Sequence, residues 1–413
     1  MNSRERILTA INHSEPDAVP VDLGSTPSSG ISAIAYNNLV KHLGVKNHHA
    51  KIYDVVQELA QVDDEIIDLF GIDVIDIGRA FNDQPADWYP VTLSDGSAAF
   101  YPVWFRPVMN NTTLEVFDAG GTKIAVKPAG ATFFDQAFFP YAGGYPPDFK
   151  TLDAAMGKVH WSALAHSPWD HSSEPGFWDS LRQRTIRLRQ STDKALMVAA
   201  GCNLFEWGTF LRRMDNFLTD LFLEPDNVHK LLDALTEHHL KSLENICRYI
   251  GDVVDIVRLG DDLGASSGPF MDVDTYRTFF KPRHARLTRY IKDHSGAHVF
   301  LHSCGSIFNL IPDLVEAGFE ILNPVQTSAY NMDPATLKNE FGKYVTFWGG
   351  GADTQKVLNY GSVDEVKKHV RERLEIFSPG GGYVFNTVHN ILPDVPPQNI
   401  MAMFNTVKMF NNQ

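Results

Sequence analysis

Eight short apolar runs alternate with helical patterns along the 413-residue chain, and this alternation constrains the fold more than any other feature. The runs are rich in β-branched and aromatic residues, which is typical of buried strands. The stretches between many of them repeat their apolar residues with the period of an amphipathic helix. The pattern predicts an α/β protein, a (β/α)8 barrel. The predicted strands begin at or near Val19, Ile72, Ala195, Val254, Ala297, Glu320, Val345 and Tyr383.

The alternation is interrupted once, over residues 81–175. Residues 81–127 are short β-prone pieces with turn signals, and residues 128–175 are irregular and rich in Pro, Gly and aromatic side chains. We interpret 81–175 as a β-rich insertion after the second strand of a single barrel domain spanning 1–413. It either closes over a substrate or packs as a hydrophobic flap. An open doubly wound sheet is the alternative, although no Gly-x-Gly-x-x-Gly follows the first strand.

Two helices are expected between the first two strands, over residues 31–43 and 53–70, because both stretches have helical periodicity. Each barrel strand after the insertion is likewise paired with a helical stretch. This arrangement places the carboxyl ends of all eight strands on one rim, where the active sites of such barrels lie.

The composition indicates which kinds of binding partner and which cellular compartment are expected. The formal net charge is −14 and no Lys/Arg-rich run stands out, which argues against a nucleic-acid partner. The three cysteines, Cys202, Cys247 and Cys304, suit a reducing compartment rather than a disulfide framework. No apolar run approaches the roughly 18 residues of a membrane helix, and the charged N-terminus does not resemble a signal peptide. A cytoplasmic protein without membrane contact is expected.

A candidate metal site lies at the end of the fifth predicted strand. Residues two apart on a strand face the same side, so the side chains of His302 and Cys304 can converge on one point. An imidazole and a thiolate there would be two ligands of zinc, although an isolated His-x-Cys is also common as an ordinary strand end. His389, near the last strand, is the predicted third ligand, and Glu206 or Cys202 would complete the set.

Further polar residues follow the other predicted strands on the same rim. Glu206 and Asp262 are the predicted catalytic groups for proton transfer, and Asp262 is alternatively an orienting partner of an imidazole. An acid in such a position is often only a helix N-cap, and this applies to Asp261 in particular. The residues predicted to bind substrate are Asp22, Asp261, Asn323 and Gln326.

Several motifs resemble those of the uroporphyrinogen decarboxylase superfamily, which includes cobalamin-linked methyltransferases. They include Gly-Asp-Asp-Leu-Gly at 260–264, His-Ser-Cys-Gly at 302–305 and Asn-Pro-Val-Gln at 323–326, with further matches at 4–12, 16–20, 346–350, 389–390 and 395–400. The resemblance is strongest from residue 254 onward and is lost over 81–175. It implies a (β/α)8 barrel, in agreement with the strand count.

The motifs favour one branch of this superfamily. Its decarboxylases carry an Arg-Gln-Ala-Gly-Arg segment after the first strand, whereas residues 24–30 here contain no arginine to hold the carboxylates of a tetrapyrrole. The methyltransferase branch has two zinc ligands in a His-x-Cys motif, which His302 and Cys304 match. Its thiol-methylating members have a further cysteine near the last strand, where this chain has His389.

The resemblance and the rim residues together predict a zinc-dependent methyltransferase that works with a corrinoid protein. The preferred hypothesis is demethylation of a small methoxylated molecule, for example an aromatic one, with Zn²⁺ as Lewis acid and a corrinoid (cobalamin) on a partner protein as methyl acceptor. The alternatives are methyl transfer from the corrinoid to a thiol, decarboxylation, and corrinoid or tetrapyrrole binding without catalysis. A homodimer is expected only by analogy with relatives.

Overall fold

The computed structural model of the protein describes residues 1–45 and 48–413. Its strands are β1 (Ala50–Asp54), β2 (Leu59–Ala60), β3 (Val74–Asp76), β4 (Trp88–Thr92), β5 (Ala98–Pro102), β6 (Val108–Asn110), β7 (Thr113–Phe117), β8 (Lys123–Lys127), β9 (Asp135–Gln136), β10 (Ala195–Gly201), β11 (Ile256–Gly260), β12 (Gly264–Ala265), β13 (Gly268–Pro269), β14 (His298–His302), β15 (Ile321–Asn323), β16 (Thr346–Trp348) and β17 (Tyr383–Val384).

The α-helices alternate with the later strands, as the sequence pattern predicts. They are α1 (Ser3–Ile11), α2 (Ala33–His42), α3 (Asp64–Phe70), α4 (Leu152–Met156), α5 (His160–Ala163), α6 (Phe177–Ser191), α7 (Phe205–Arg212), α8 (Met214–Leu223), α9 (Pro225–Ile250), α10 (Val273–Phe279), α11 (Lys281–His294), α12 (Ile311–Glu316), α13 (Pro334–Phe341), α14 (Val357–Tyr360), α15 (Val363–Phe377) and α16 (Pro397–Asn411). Among the described residues, none of the helices combines the length and apolar character needed to cross a membrane.

Seven parallel strands form the barrel sheet, in the order β3-β10-β11-β14-β15-β16-β17. The first predicted strand is present only as a bridge, in which Val21 pairs in parallel with Phe385. The Asp22 N–H donates to the Phe385 carbonyl and the Asp73 N–H donates to the Val21 carbonyl, at 2.9 Å each, so residues 21–22 join the two edges of the sheet. The predicted (β/α)8 barrel is therefore confirmed.

The barrel interior is built in layers along the strands. One apolar cluster fills it, with one or more side chains from each of the seven strands and Ile7 and Ile11 from α1. Because side chains alternate along a strand, the residue two positions after each of these also faces inward, nearer the carboxyl end. These next residues are polar on five strands. The polar layer consists of Asp76, Arg258, His302, Asn323 and Asn386.

The region between the first two barrel strands differs from the prediction. The helix expected over 53–70 is wrong in its first half, because β1 and β2 occupy residues 50–60 and only α3 is helical. Strand β1 pairs in parallel with β5, and β5 pairs with β4. Strand β1 also pairs antiparallel with β2, with Ile52 opposite Ala60, so these strand pairings together override the local helical pattern. A second sheet, β6-β7-β8-β9, lies wholly within 81–175, and the single-domain assignment stays a prediction.

Candidate metal centre in the barrel mouth

Three side chains converge at the carboxyl end of the barrel. His302 is the last residue of β14, Cys304 follows two residues later, and His389 lies in the loop after β17. One donor atom from each of the three lies within 4.8 Å of the others. The Cys304 Sγ is 3.4 Å from the His302 Nε2, and the two imidazole rings have centroids 5.6 Å apart. The structure therefore brings all three predicted ligands together.

The ring of His302 is held by a buried amide. Its Nδ1 lies 2.6 Å from the Oδ1 of Asn323, which can only accept, so Nδ1 carries the proton and Nε2 has its lone pair free. The same Oδ1 accepts from the Ser28 hydroxyl, and the Asn323 amide donates to the Trp348 carbonyl. Asn323, which was predicted to bind substrate, here orients the His302 imidazole by accepting a hydrogen bond from its Nδ1–H.

Burial sets the protonation of the three candidate ligands. It lowers the pKa of His302 to about 3 and also lowers the pKa of His389, so both imidazoles are neutral at pH 7. Burial and the nearby Asp262 and Glu206 carboxylates raise the pKa of the Cys304 thiol. The imidazoles are therefore ready to act as ligands, whereas the thiol needs a cation to become a thiolate.

The two predicted catalytic acids lie beside this cluster. The Asp262 Oδ1 accepts from the Cys304 N–H at 2.8 Å and is 3.6 Å from the His302 Nε2. The Glu206 carboxylate accepts from the Asp262 N–H at 3.1 Å. Burial, reinforced by the charges of Asp262 and Asp261, raises the pKa of Glu206 to about 8. Glu206 therefore carries a proton at neutral pH and is a potential proton donor.

Asp261 holds Glu206 in place. It is fully buried, and its two oxygens accept from the N–H groups of Phe205 and Glu206 at 2.9 Å, at the start of α7. The His284 Nε2 is 3.2 Å away. These contacts match the helix-capping interpretation of Asp261. Its substrate-binding role stays a prediction.

The remaining predicted substrate residues also contact protein groups. The Gln326 side chain accepts from the Gly305 N–H at 2.9 Å and so supports the loop after Cys304. Asp22 accepts from the Trp348 indole at 2.8 Å and the Ser25 N–H at 3.1 Å, and burial raises its pKa to about 6. Cys202 lies outside the metal cluster among the described residues, with its Sγ 3.5 Å from the Ala200 carbonyl.

The other side of the mouth holds polar groups that the candidate sites did not include. The Tyr53 hydroxyl, the Asp76 Oδ2 and the Arg258 Nε are buried without a hydrogen-bond partner in the described part of the chain. Burial raises the pKa of Asp76 to about 6. Arg258 is two residues after the inward-facing Ile256, so strand alternation was the signal for it. Tyr53 was hidden by the helix expected over 53–70.

The comparisons with known proteins agree with the fold. The uroporphyrinogen decarboxylase (URO-D) family model matches residues 202–410, just over half of the chain. The uroporphyrinogen decarboxylase of Prochlorococcus marinus is 26% identical over 198 residues, and that of Magnetococcus marinus is 24% identical over 194 residues. Each match covers 46% of this chain and 50% of the relative, so it spans only half of the relatives' length.

A solved structure is similar over the whole chain. A methyltransferase from Methanosarcina mazei superimposes with a TM-score of 0.59 at 17% sequence identity, covering 99% of each chain. At this identity the likeness establishes the shared fold. The family match includes His302, Cys304 and His389. The chain belongs to the uroporphyrinogen decarboxylase (URO-D) family.

Proposed function

We propose that this protein is a zinc-dependent methyltransferase that moves a methyl group between a small methoxylated substrate and a corrinoid protein. The observation that carries the proposal is the convergence of His302, Cys304 and His389 within 4.8 Å at the carboxyl end of the barrel. Active sites of (β/α)8 enzymes lie at this end. The fold shared with the Methanosarcina mazei methyltransferase supports the same reaction class.

The donor set fits zinc. Two neutral imidazoles and one thiol are ligand types that zinc prefers, and three protein ligands are typical of a catalytic zinc with one position open to substrate. The hydrogen bond from His302 to Asn323 is the kind of outer contact that fixes the orientation of a zinc-bound imidazole. Zinc bound by these residues would supply a Lewis acid for an ether oxygen and would lower the pKa of the Cys304 thiol.

The acidic residues would manage the proton that demethylation requires. When a methyl group leaves an ether, the remaining oxygen needs a proton to depart as an alcohol or phenol. Glu206, whose pKa is raised to about 8, holds a proton at neutral pH beside the cluster. Asp262 fixes the backbone of Cys304 and the position of Glu206 through its own N–H. The corrinoid, carried by the partner protein, would supply the cobalt that accepts the methyl group.

Decarboxylation is the second candidate, because the curated relatives are named uroporphyrinogen decarboxylases. Residues 24–30 contain no arginine, and Thr26, Ser28 and Ser29 are occupied with contacts to one another. This loop therefore offers no cation for the carboxylates of a tetrapyrrole. Methyl transfer to a thiol, the reverse use of the same metal site, is distinguished from demethylation by which compound is consumed.

Metal content is the first test of the proposal. Zinc is measured by mass spectrometry in wild type purified without added metal and in His302→Ala and Cys304→Ala. Cys247→Ala is the matched control, because Cys247 is a buried cysteine on α9 outside the cluster. We expect about one zinc per chain in wild type and Cys247→Ala, and none in the other two variants. Folded wild type that binds no zinc would contradict the proposal.

Methyl transfer itself is tested with the zinc-loaded protein. Cob(I)alamin is mixed with guaiacol or 3-methoxybenzoate, and formation of methylcobalamin is followed by its visible absorbance. We expect turnover that requires zinc and is lost in His302→Ala. Release of carbon dioxide from 3-methoxybenzoate without methylcobalamin would favour decarboxylation.

A further inference from the structure

The guanidinium of Arg258 reaches the level of the candidate metal ligands. Arg258 lies in β11 with its Cα in register with Phe300, which is two residues before His302 on β14. Its side chain extends along its own strand toward the mouth, because a Cβ built on Gly260 would lie 3.2 Å from the Arg258 Nη1. Gly260 is the register partner of His302. The guanidinium is thus beside His302, on the neighbouring strand.

No protein group neutralises this guanidinium. Within residues 1–45 and 48–413, Arg258 makes neither a hydrogen bond nor an ion pair, and its Nε is buried. The nearby acids are engaged elsewhere, Asp262 with the Cys304 N–H and Glu206 with the Asp262 N–H. Burial lowers the pKa of Arg258 by more than the neighbouring acidic groups Glu206 and Asp262 raise it. The side chain as a whole is partly buried.

An unpaired guanidinium inside a barrel is costly unless an anion binds it. Its planar fork of N–H donors matches the two oxygens of a carboxylate. The Tyr53 hydroxyl is a second buried donor without a hydrogen-bond partner in the described residues, and it is near enough to Arg258 for the guanidinium to oppose the rise of the Tyr53 pKa. Because Tyr53 is neutral, the pair carries a single positive charge, which suits one carboxylate.

We propose that Arg258 binds a carboxylate of the substrate, with Tyr53 as a second donor, so that the substrate is a small methylated carboxylic acid. The demethylation of this acid rests on the proposed function. The binding of its carboxylate to Arg258 does not. A methylated amine in its protonated form would be repelled by the positive guanidinium. A neutral ether without a carboxylate would leave the guanidinium unpaired. Neighbouring strands are about 4.8 Å apart, so a short spacer such as one ring joins the carboxylate to the reacting group.

Calorimetric titration with a matched pair of compounds tests the proposal. 3-Methoxybenzoate and 3-methoxybenzamide have the same shape and differ in charge. We expect wild type to bind the acid about tenfold to a hundredfold more tightly than the amide, since hydrogen bonds between charged groups have that strength. Arg258→Gln should lose this preference and Arg258→Lys should keep part of it. Arg248→Gln, which removes an exposed arginine of α9, should behave as wild type.

Three results would overturn the proposal: equal binding of acid and amide by wild type, no binding of the acid by wild type, or an unchanged preference in Arg258→Gln. The wild-type comparison needs no variant, so it remains decisive if Arg258→Gln does not fold. Titrations with and without zinc separate this proposal from the previous one. Preference for the acid in protein that binds no zinc refutes the methyltransferase alone, whereas zinc without the preference refutes only the role of Arg258.

Discussion

The two sides of the barrel mouth differ in how their buried polar atoms are satisfied. On the side of β14 and β15, His302 is held by Asn323, and Asn323 by Ser28 and Trp348. On the side of β3 and β11, buried polar atoms of Tyr53, Asp76 and Arg258 have no protein partner in the described chain. The buried polar atoms of the first side are hydrogen-bonded without any ligand. Those of the second side obtain their hydrogen bonds from a bound ligand.

The largest effect is expected from breaking the organised side at a ligand. Replacing His389 with Ala should abolish zinc binding and methyl transfer, because two protein ligands are too few for a stable catalytic zinc. Zinc content and methylcobalamin formation measure the effect. His294→Ala, on the surface-exposed end of α11, is the control. Full zinc occupancy in His389→Ala would mean that His389 is not a zinc ligand. Another residue would then have to be the third ligand.

Removing the proton of Glu206 is expected to have the next largest effect. The pKa of Glu206 is raised to about 8, so the group is protonated below that pH and loses its proton as the pH rises through it. Demethylation by wild type should therefore fall on the alkaline side. Glu206→Gln should lower kcat by about 10²- to 10⁴-fold, the usual contribution of a general acid, and remove this alkaline limb. A retained limb would assign the proton to another group.

A smaller effect is expected from the support behind the metal ligand. Asn323→Ala leaves the three ligands in place but removes the acceptor that orients His302. Zinc affinity should fall by about 10- to 100-fold, as is usual for outer contacts of a metal site. A chelator competition measures it. An unchanged affinity would mean that His302 is oriented by packing alone.

The smallest expected effect is a difference in the free energy of unfolding between substitutions on the two sides of the barrel mouth. Without ligand, Arg258→Met should raise the free energy of unfolding by about 1 kcal/mol, because it removes an unpaired charge. Asn323→Leu should lower it by about 1–3 kcal/mol, because it leaves partners unsatisfied. Thermal or urea unfolding of the metal-free protein measures both. Equal destabilisation by the two substitutions would mean that Arg258 has a structural partner.

Much of the fold follows from local patterns. Short β-branched runs and amphipathic helices are signals within a few residues, so the barrel strands from Ala195 onward were all predicted, whereas the two-residue strands β12 and β13 were not. Tyr53 shows where this fails: residues 50–54 form a strand that pairs at its start with β5 of the insertion and at its end with β2. The first strand is similar, since Val21 is held by Phe385 from the other end of the chain. A local pattern contains no information about such distant partners.

The candidate site likewise has some features that follow from the local sequence and others that do not. His302 ends β14 and Cys304 follows two residues later, so their convergence follows from the two-residue period. Arg258 obeys the same period, but an arginine in a strand does not reveal whether a partner neutralises it. Asp261 had two interpretations from its position at a strand end, and its contacts with the N–H groups of Phe205 and Glu206 match the helix-capping one, while its substrate-binding role stays a prediction.

By itself the sequence determined the strand count, the class of fold, the family motifs and two neighbouring ligands, because these depend on periods of two and 3.6 residues. Only the tertiary structure decided that His389 joins them. In a flat sheet β14 and β17 would be separated by three strand spacings, roughly 14 Å. Closure of the sheet into a barrel brings the carboxyl ends together, and the donor atoms then lie within 4.8 Å of one another.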